Sequence, residues 1–161
     1  MIRLLLTTLF GLTLLACPTF STESCPWINS ATASGILGGP VEVIFTHSTR
    51  NKDDGTCEFR CRKGALTSAM HIEVATAERP GNLAKFLARC NSKPSPIQDF
   101  GNEATACSGG HRGGKESELI VGHVRGRIFV IAVMTTGKSV SSSSLREQAR
   151  SAAGQVVGNL F

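Results

Sequence analysis

Six cysteines offer the most chemistry in this sequence of 161 residues. They are Cys17, Cys25, Cys57, Cys61, Cys90 and Cys107. Cys57 and Cys61 are four residues apart in a segment that alternates like a β-strand, so their Cα atoms should lie about 13 Å apart. A disulfide tolerates a Cα separation of about 7 Å at most. These two cysteines should therefore not pair with each other, and their spacing is not the C-x₂-C redox motif.

Two other pairings fit the order of the predicted elements. A Cys25–Cys57 bond would tie the N-terminal segment to the sheet. A Cys90–Cys107 bond would close a short loop and contribute roughly 3 kcal/mol in the loop-entropy description. Cys61 is then left either as a buried free thiol or as a reactive one. A thiolate nucleophile would need a base oriented by a third group, which the sequence does not show.

The histidines are the other candidates for chemistry. They are His47, His71, His111 and His123. Zinc usually takes three or four close ligands, and no pair here has helical i, i+4 or zinc-finger spacing. His71 and His123 could bind a metal or haem if their strands were neighbours. Structural or surface roles are the favoured interpretation, and we expect no cofactor and no catalytic residue that can be named.

The segment Met1 to Ala16 has the pattern of a secretory signal, predicted to end at residue 16 or to extend up to residue 24. Arg3 gives it a positive start, and an apolar run from Leu4 to Leu15 leads to the small residue before Cys17. The run has about 12 residues, whereas a membrane-spanning helix needs roughly 20. The sequence therefore predicts export to the periplasm or cell surface, where cysteines can form disulfides.

Two modes of cleavage stay open. The residues Leu14-Leu15-Ala16-Cys17 resemble a bacterial lipobox, in which cleavage before Cys17 exposes a sulfur that receives a diacylglyceryl group and anchors the protein to the membrane. The alternative is ordinary cleavage after Ser21 or Ser24. Either way five cysteines remain for pairing, so one thiol stays unpaired or pairs between chains.

Composition predicts one domain, spanning residues 25–161, and argues against nucleic acid as a partner. The formal net charge is +5, but lysines and arginines are spread along the chain. Nucleic-acid binding favours a basic stripe interleaved with aromatic residues, and the chain has one Trp and no Tyr. An envelope protein or a small ligand is the expected partner.

Helix and strand patterns alternate along this domain. We predict a helix over Ile28–Gly39 capped by Asn29 or Ser30, a helix over Leu83–Cys90 capped by Asn82, and a terminal amphipathic helix with a Ser144–Glu147 capping box. Alternating segments predict strands at residues 41–46, 57–61, 66–74 and 104–108 and a hairpin at 119–135. Ile128–Met134 is apolar throughout, which indicates a central strand. The result is an α+β domain, an antiparallel sheet of about five to six strands flanked by helices.

Several short motifs of this layout resemble the small bacterial envelope lipoproteins of the LpqN and PsbP-like group. They are Cys25-Pro26-Trp27-Ile28, Leu37-Gly38-Gly39-Pro40-Val41, Cys57-Glu58-Phe59, Phe100-Gly101-Asn102-Glu103-Ala104, the hairpin Glu118–Thr135 and the terminal helix. The resemblance implies an antiparallel sheet flanked by helices, export, and a binding or accessory role rather than catalysis.

Three functions follow as hypotheses. The first is an exported, disulfide-stapled, non-catalytic binding or accessory protein of the cell envelope, with a lipid anchor if Cys17 is modified. The second is a thiol-based redox protein or enzyme that uses the unpaired Cys61. The third is a metal- or haem-binding protein that uses His71 and His123.

Overall fold

The computed structural model describes residues 24–77, 82–100, 103–109, 116–136 and 140–161. The predicted signal Met1–Ala16, the lipidation candidate Cys17, and His111 lie outside these residues. In the described part, the elements are α1 (Ser30–Leu37), β1 (Val41–His47), β2 (Gly55–Lys63), β3 (Leu66–Thr76), α2 (Asn82–Leu87), β4 (Ser95–Pro96), β5 (Glu103–Ser108), β6 (Glu116–Val124), β7 (Arg127–Thr136) and α3 (Ser142–Leu160).

The strands form one antiparallel sheet in the order β1-β2-β3-β7-β6-β5-β4. This confirms the α+β class, but the sheet has seven strands rather than five to six. The additional strand is β4, which pairs Ser95 with Ala106 and Pro96 with Thr105. Two residues are too few for a periodic pattern, and proline is tolerated only at the edge of a sheet, so this strand carried no signal in the sequence.

Helix α1 begins and ends where local chemistry allows. The Asn29 side chain accepts a hydrogen bond from the Thr32 amide at 2.8 Å and caps the first turn. Gly38 closes the helix in the left-handed region, with φ of 79°, and its amide donates to the Ser34 carbonyl. The helix is therefore shorter than the predicted span from Ile28 to Gly39.

Strand β7 lies at the centre of the sheet, between β3 and β6. Its residues from Ile128 to Ile131 are all buried, so both faces of the strand are covered. This confirms the prediction from its continuous apolar run. The turn from β6 places Arg125 and Gly126 at φ of 46° and 75°, the left-handed geometry of a tight hairpin.

Helix α2 ends at Leu87, three residues before the predicted end at Cys90. The last turn tightens, with the Cys90 amide donating to the Leu87 carbonyl at 3.0 Å. Cys90 itself pairs with Gly109 in an isolated bridge. A residue that forms a β-bridge needs an extended backbone. The helix therefore ends before Cys90, although Leu83, Phe86 and Leu87 have a helical spacing that Cys90 would continue.

Helix α3 starts three residues earlier than the predicted capping box. Its cap is Ser141, whose hydroxyl accepts from the Ser144 amide at 3.3 Å, so the Ser144–Glu147 box is wrong. A run of serines offers several equivalent caps, and only packing selects one. The apolar stripe of this helix is confirmed and buried; it consists of Leu145, Ala149, Ala152, Ala153, Val156 and Val157.

The two faces of the sheet are covered unequally. Helices α1 and α3 pack on one face, the α1/α3 face, where Phe59, Met70 and Phe129 belong to the main core. Helix α2 packs on the other face, the α2 face, over β6, and its Phe86 belongs to a smaller cluster that includes Ile128 and Val130 of β7. No helix among the described residues is long and apolar enough to span a bilayer.

Candidate functional site: two grooves at one end of the sheet

The cysteines occupy three different environments. The structure joins Cys25 to Cys57 with an S–S distance of 2.06 Å and Cys90 to Cys107 with one of 1.94 Å, the two pairs that the sequence analysis considered. Cys61 carries the one free thiol in the described part of the chain. Two disulfides are typical of a protein that folds in an oxidising compartment.

The Cys61 thiol lies under the segment that joins α1 to β1. The residue is 3% exposed, on the same face of β2 as Cys57 and Phe59. A Cβ atom built on Gly39 would come within 3.0 Å of its sulfur, so the covering backbone is in close contact. Any reagent or substrate must displace this segment to reach the sulfur. Reactive cysteines are usually partly exposed, and this site has the burial of a structural one.

His71 and His123 do not lie on neighbouring strands, which corrects the arrangement that a shared metal or haem would need. They lie on β3 and β6, and β7 runs between them. His71 is opposite Ala132 and His123 is opposite Ile128, four residues further along β7. Two strand spacings and four residues of rise separate them by about 16 Å. In the described ranges no group of three or more His, Cys, Asp or Glu side chains could hold a metal ion.

A groove of about 690 Å³ lies on the α2 face, at the end of the sheet where β1 turns into β2. We call it groove 1. Its floor is formed by Thr46, Thr56 and Glu73, and Lys85 and Phe86 of α2 form one wall. The opposite wall is the β1–β2 turn, with the polar residues Ser48, Thr49, Arg50, Asn51 and Asp54. Its volume is in the range of small-molecule sites.

The β1–β2 turn is held in place by a connected set of polar contacts. The Asn51 amide donates to the Thr76 hydroxyl at 2.8 Å, and that hydroxyl donates to Asp54 at 2.9 Å. Arg127 adds an ion pair to the same carboxylate at 3.1 Å and donates to the Asp53 carbonyl. Since these contacts link the turn to β3 and β7, this wall of groove 1 is preformed.

The α2 wall has its own attachments. Phe86 is 5% exposed and packs on the sheet, and the Arg89 guanidinium lies 5.0 Å from its ring centre. The same guanidinium donates to Glu73 on β3 at 2.9 Å. Directly after it, the Cys90–Cys107 disulfide bonds the end of this segment to β5. A covalent bond and an ion pair therefore position the helix that borders groove 1.

A second groove, of about 440 Å³, lies around the same turn on the other side of His47. We call it groove 2. Trp27 and Phe45 line it, with ring centres 5.8 Å apart, together with the polar residues Ser24, Lys52, Asp53, Arg127 and Asn159. The Cys25–Cys57 disulfide anchors the chain beside Trp27. Each disulfide thus supports one wall of one groove.

His47 borders both grooves. Its ring contacts Phe45 edge-on, with ring centres 4.3 Å apart. In the sequence, His47 is one of four histidines for which structural or surface roles are favoured, and residues 51–55 (NKDDG) have the composition of a turn. Neither signal could reveal a groove, because the walls come from residues that are far apart in the chain.

Beyond groove 1, the part of the α2 face on β1, β2 and β3 carries polar side chains. Glu58 and Arg60 form an ion pair at 2.7 Å on β2. The hydrogen bond from Arg60 to Glu58, with the charges of Glu58 and Glu42, raises the pKa of the arginine. On β1, Ile44 is 47% exposed. This part of the face is exposed to solvent, so isolated ion pairs here add little to the free energy of unfolding.

Comparisons of the chain with protein-family models, curated proteins and solved structures found no match.

Proposed function

We propose that this chain is an exported, non-catalytic binding domain of the bacterial envelope, and that groove 1 is its ligand site. The observation that carries the binding role is a groove of ligand size whose two walls are held by independent sets of contacts. Preformed walls favour binding because a ligand then spends less free energy on ordering the site.

Export is supported by the two disulfides together with the signal pattern of Met1–Ala16. A sheet flanked by helices also fits what the resemblance to the LpqN and PsbP-like group implies. We include a lipid anchor on Cys17 in this proposal. Ser24, at the edge of groove 2, follows Cys17 by seven positions, and an extended chain of that length reaches about 25 Å. The grooves would then stay close to the membrane surface.

The ligand chemistry suggested by groove 1 is polar and without net charge. Hydroxyl and amide groups dominate its lining, and the charges of Arg50, Lys85, Asp54 and Glu73 balance. Sugars and peptidoglycan fragments match such a surface because they offer many hydrogen-bonding groups. The test is a thermal-shift titration with three probe sets, namely disaccharides, purified muropeptides and free amino acids.

The expected result is a concentration-dependent rise in melting temperature with one probe set. Thr56→Trp fills the floor of groove 1 and should abolish that rise. Arg62→Trp is the matched control, since it places the same side chain on the same face of β2, about 20 Å away. If no probe stabilises the unchanged protein, or if Thr56→Trp responds as Arg62→Trp does, groove 1 is not the ligand site.

Export and anchoring are tested by intact-mass spectrometry of the protein from the cells that produce it. We expect a chain that starts at Cys17 and carries a diacylglyceryl group, with four cysteines resistant to alkylation until reduction. A chain that starts after Ser21 or Ser24 would remove the lipid anchor from the proposal. A full-length chain with every thiol reduced would contradict export itself.

A further inference from the structure

The two edges of the sheet differ in their capacity to pair with another strand. At one edge is β4, which has only two residues and ends in Pro96. At the other edge is β1, with seven residues, no proline, and Glu42 as its one acidic or basic side chain apart from His47. Among the described residues β1 pairs only with β2. Every second residue of β1 therefore directs its amide and carbonyl away from the sheet.

Natural proteins usually protect a free edge with lysine, proline, a bulge or very short length. Strand β4 uses two of these devices. Strand β1 has none of them and carries one charged side chain, Glu42, which is paired across the strands with Arg60. In addition Ile44, at the centre of β1, is 47% exposed and is one of the two exposed large hydrophobic residues in the described ranges; the other is Phe161. An apolar side chain in the middle of an unprotected edge is typical of a strand that has a partner.

We propose that β1 is a self-association site, at which the β1 strands of two copies of this chain pair antiparallel about a two-fold axis centred on Ile44. The sheet then continues from one molecule into the other. The partner is a second copy because the strand is complementary to itself in this register, as the residue pairs across the axis show.

With Ile44 opposite Ile44 of the second copy, the other pairs follow from the spacing of the strand. Glu42 is opposite Thr46, Val43 is opposite Phe45, and Val41 is opposite His47. On the α1/α3 face, the half-buried Val43 and Phe45 extend the core across the junction. On the α2 face the two Ile44 side chains cover each other. Apolar cross-strand pairs of this kind stabilise a sheet.

The charges favour this orientation over the parallel one. A parallel pairing in register would place Glu42 directly against Glu42 of the second copy, and like charges that face each other are destabilising. In the antiparallel register the two carboxylates lie on opposite sides of the axis. Each of them stays beside Arg60 of its own chain, which is directly opposite it on β2.

The association is measured by sedimentation equilibrium over a concentration series, using the exported protein with its disulfides intact. We expect a reversible monomer–dimer equilibrium. Ile44→Lys should raise the dissociation constant at least about tenfold, because it places two like charges on the axis and uses the side chain with which natural edges avoid pairing. The matched control is Phe161→Lys, the same change at the other exposed hydrophobic residue, which should leave the dissociation constant unchanged.

The register is tested by cross-linking. Ile44→Cys places two thiols on directly opposed residues, with Cα atoms about 4.5 to 5.5 Å apart, which a disulfide can bridge. Glu42→Cys is the control, because its two copies would be about 13 Å apart along the strand. Peptide mapping should find a 44–44 bond after mild oxidation and no 42–42 bond.

A monomer at every soluble concentration, an equal effect of Ile44→Lys and Phe161→Lys, or a 42–42 bond would each overturn the proposal. Ile44 and Glu42 are both exposed, so these variants should fold. Circular dichroism checks this directly. The outcome is independent of groove 1, whose ligand test uses melting temperature and residue 56.

Discussion

The two faces of this sheet differ in how completely helices cover them. On the α1/α3 face, two helices bury a continuous core in which Phe59, Met70 and Phe129 have no exposed surface. On the α2 face, one helix of six residues covers only β6 and β7, and the cluster around Phe86 is smaller. The uncovered part of that face, on β1 to β3, is mostly polar, carries the exposed Ile44 and borders groove 1.

Because the two faces are covered unequally, we expect the α1/α3 face to contribute most to stability, and the α2 face carries the groove proposed to bind a ligand. Except for groove 2 at its edge, the α1/α3 face is covered by two helices, and it holds the larger of the two buried clusters. A face that is only partly covered leaves a concave boundary where α2 stops, and groove 1 lies at that boundary. On the α2 side, a disulfide and an ion pair attach the helix to the sheet.

The largest expected effect comes from truncating one phenylalanine on each face. Phe59→Ala removes a fully buried ring from the main core and should cost about 4 kcal/mol in the free energy of unfolding. Phe86→Ala should cost about 3 kcal/mol, at the lower end for such a truncation, since the small cluster under α2 can collapse into the space. Urea unfolding with the disulfides intact measures both. Equal costs would show that the two faces contribute alike.

Removing the disulfides should have the next largest effect. The pair Cys25→Ala and Cys57→Ala opens a separation of 32 residues, and the pair Cys90→Ala and Cys107→Ala opens one of 17. Loop entropy then predicts losses of roughly 4 and roughly 3 kcal/mol respectively.

Amide exchange shows which part of the molecule each disulfide stabilises. Loss of Cys90–Cys107 should raise the exchange of α2 while the strands of the main core stay protected. If α2 exchanges no faster in that variant than in the unchanged protein, the disulfide does not hold this wall of groove 1.

A smaller effect is expected at the ion pair that joins α2 to the sheet. Glu73→Gln should cost less than about 1 kcal/mol, because the Arg89 side chain is 45% exposed and water screens the pair. Glu58→Gln breaks the other ion pair on the same face without touching α2 and serves as the control. Both variants should unfold at similar urea concentrations, and only Glu73→Gln should increase amide exchange in α2. The same exchange in both variants would mean that Glu73 does not position the helix.

The smallest effect is expected on the uncovered part of the α2 face. His71→Ala should change the free energy of unfolding by about 0.5 kcal/mol or less, as is usual for surface sites. Ile72→Val, at the next residue but facing the main core, should cost about 1 kcal/mol although it removes only one methylene. A larger loss for His71→Ala would assign a structural role to this face.

Local patterns were a reliable guide to the elements that bury one side against a large core. The alternation in β2 and β3, the apolar run of β7 and the stripe of α3 all lie where the sequence predicted them. Predictions failed where one local rule competed with another or with packing. Several serines could cap the start of α3, and the pattern alone did not select Ser141. Cys90 fits the helical spacing of α2, but in the structure it forms a β-bridge with Gly109.

Such patterns could not predict the candidate site. Groove 1 joins residues near 46, 54, 73 and 86, and no rule of spacing brings these four positions together. The separation of His71 from His123 has the same origin, since it depends on β7 lying between β3 and β6.

Periodicity and composition were sufficient to predict the class of fold, the inward and outward sides of the long strands, and a leader pattern that favours export. These are local properties of a chain. The strand order, the unequal covering of the two faces, the grooves and the free edge at β1 became visible only in the folded molecule. Those features arise because packing of the whole chain selects which strands become neighbours, and the same local patterns are compatible with several orders.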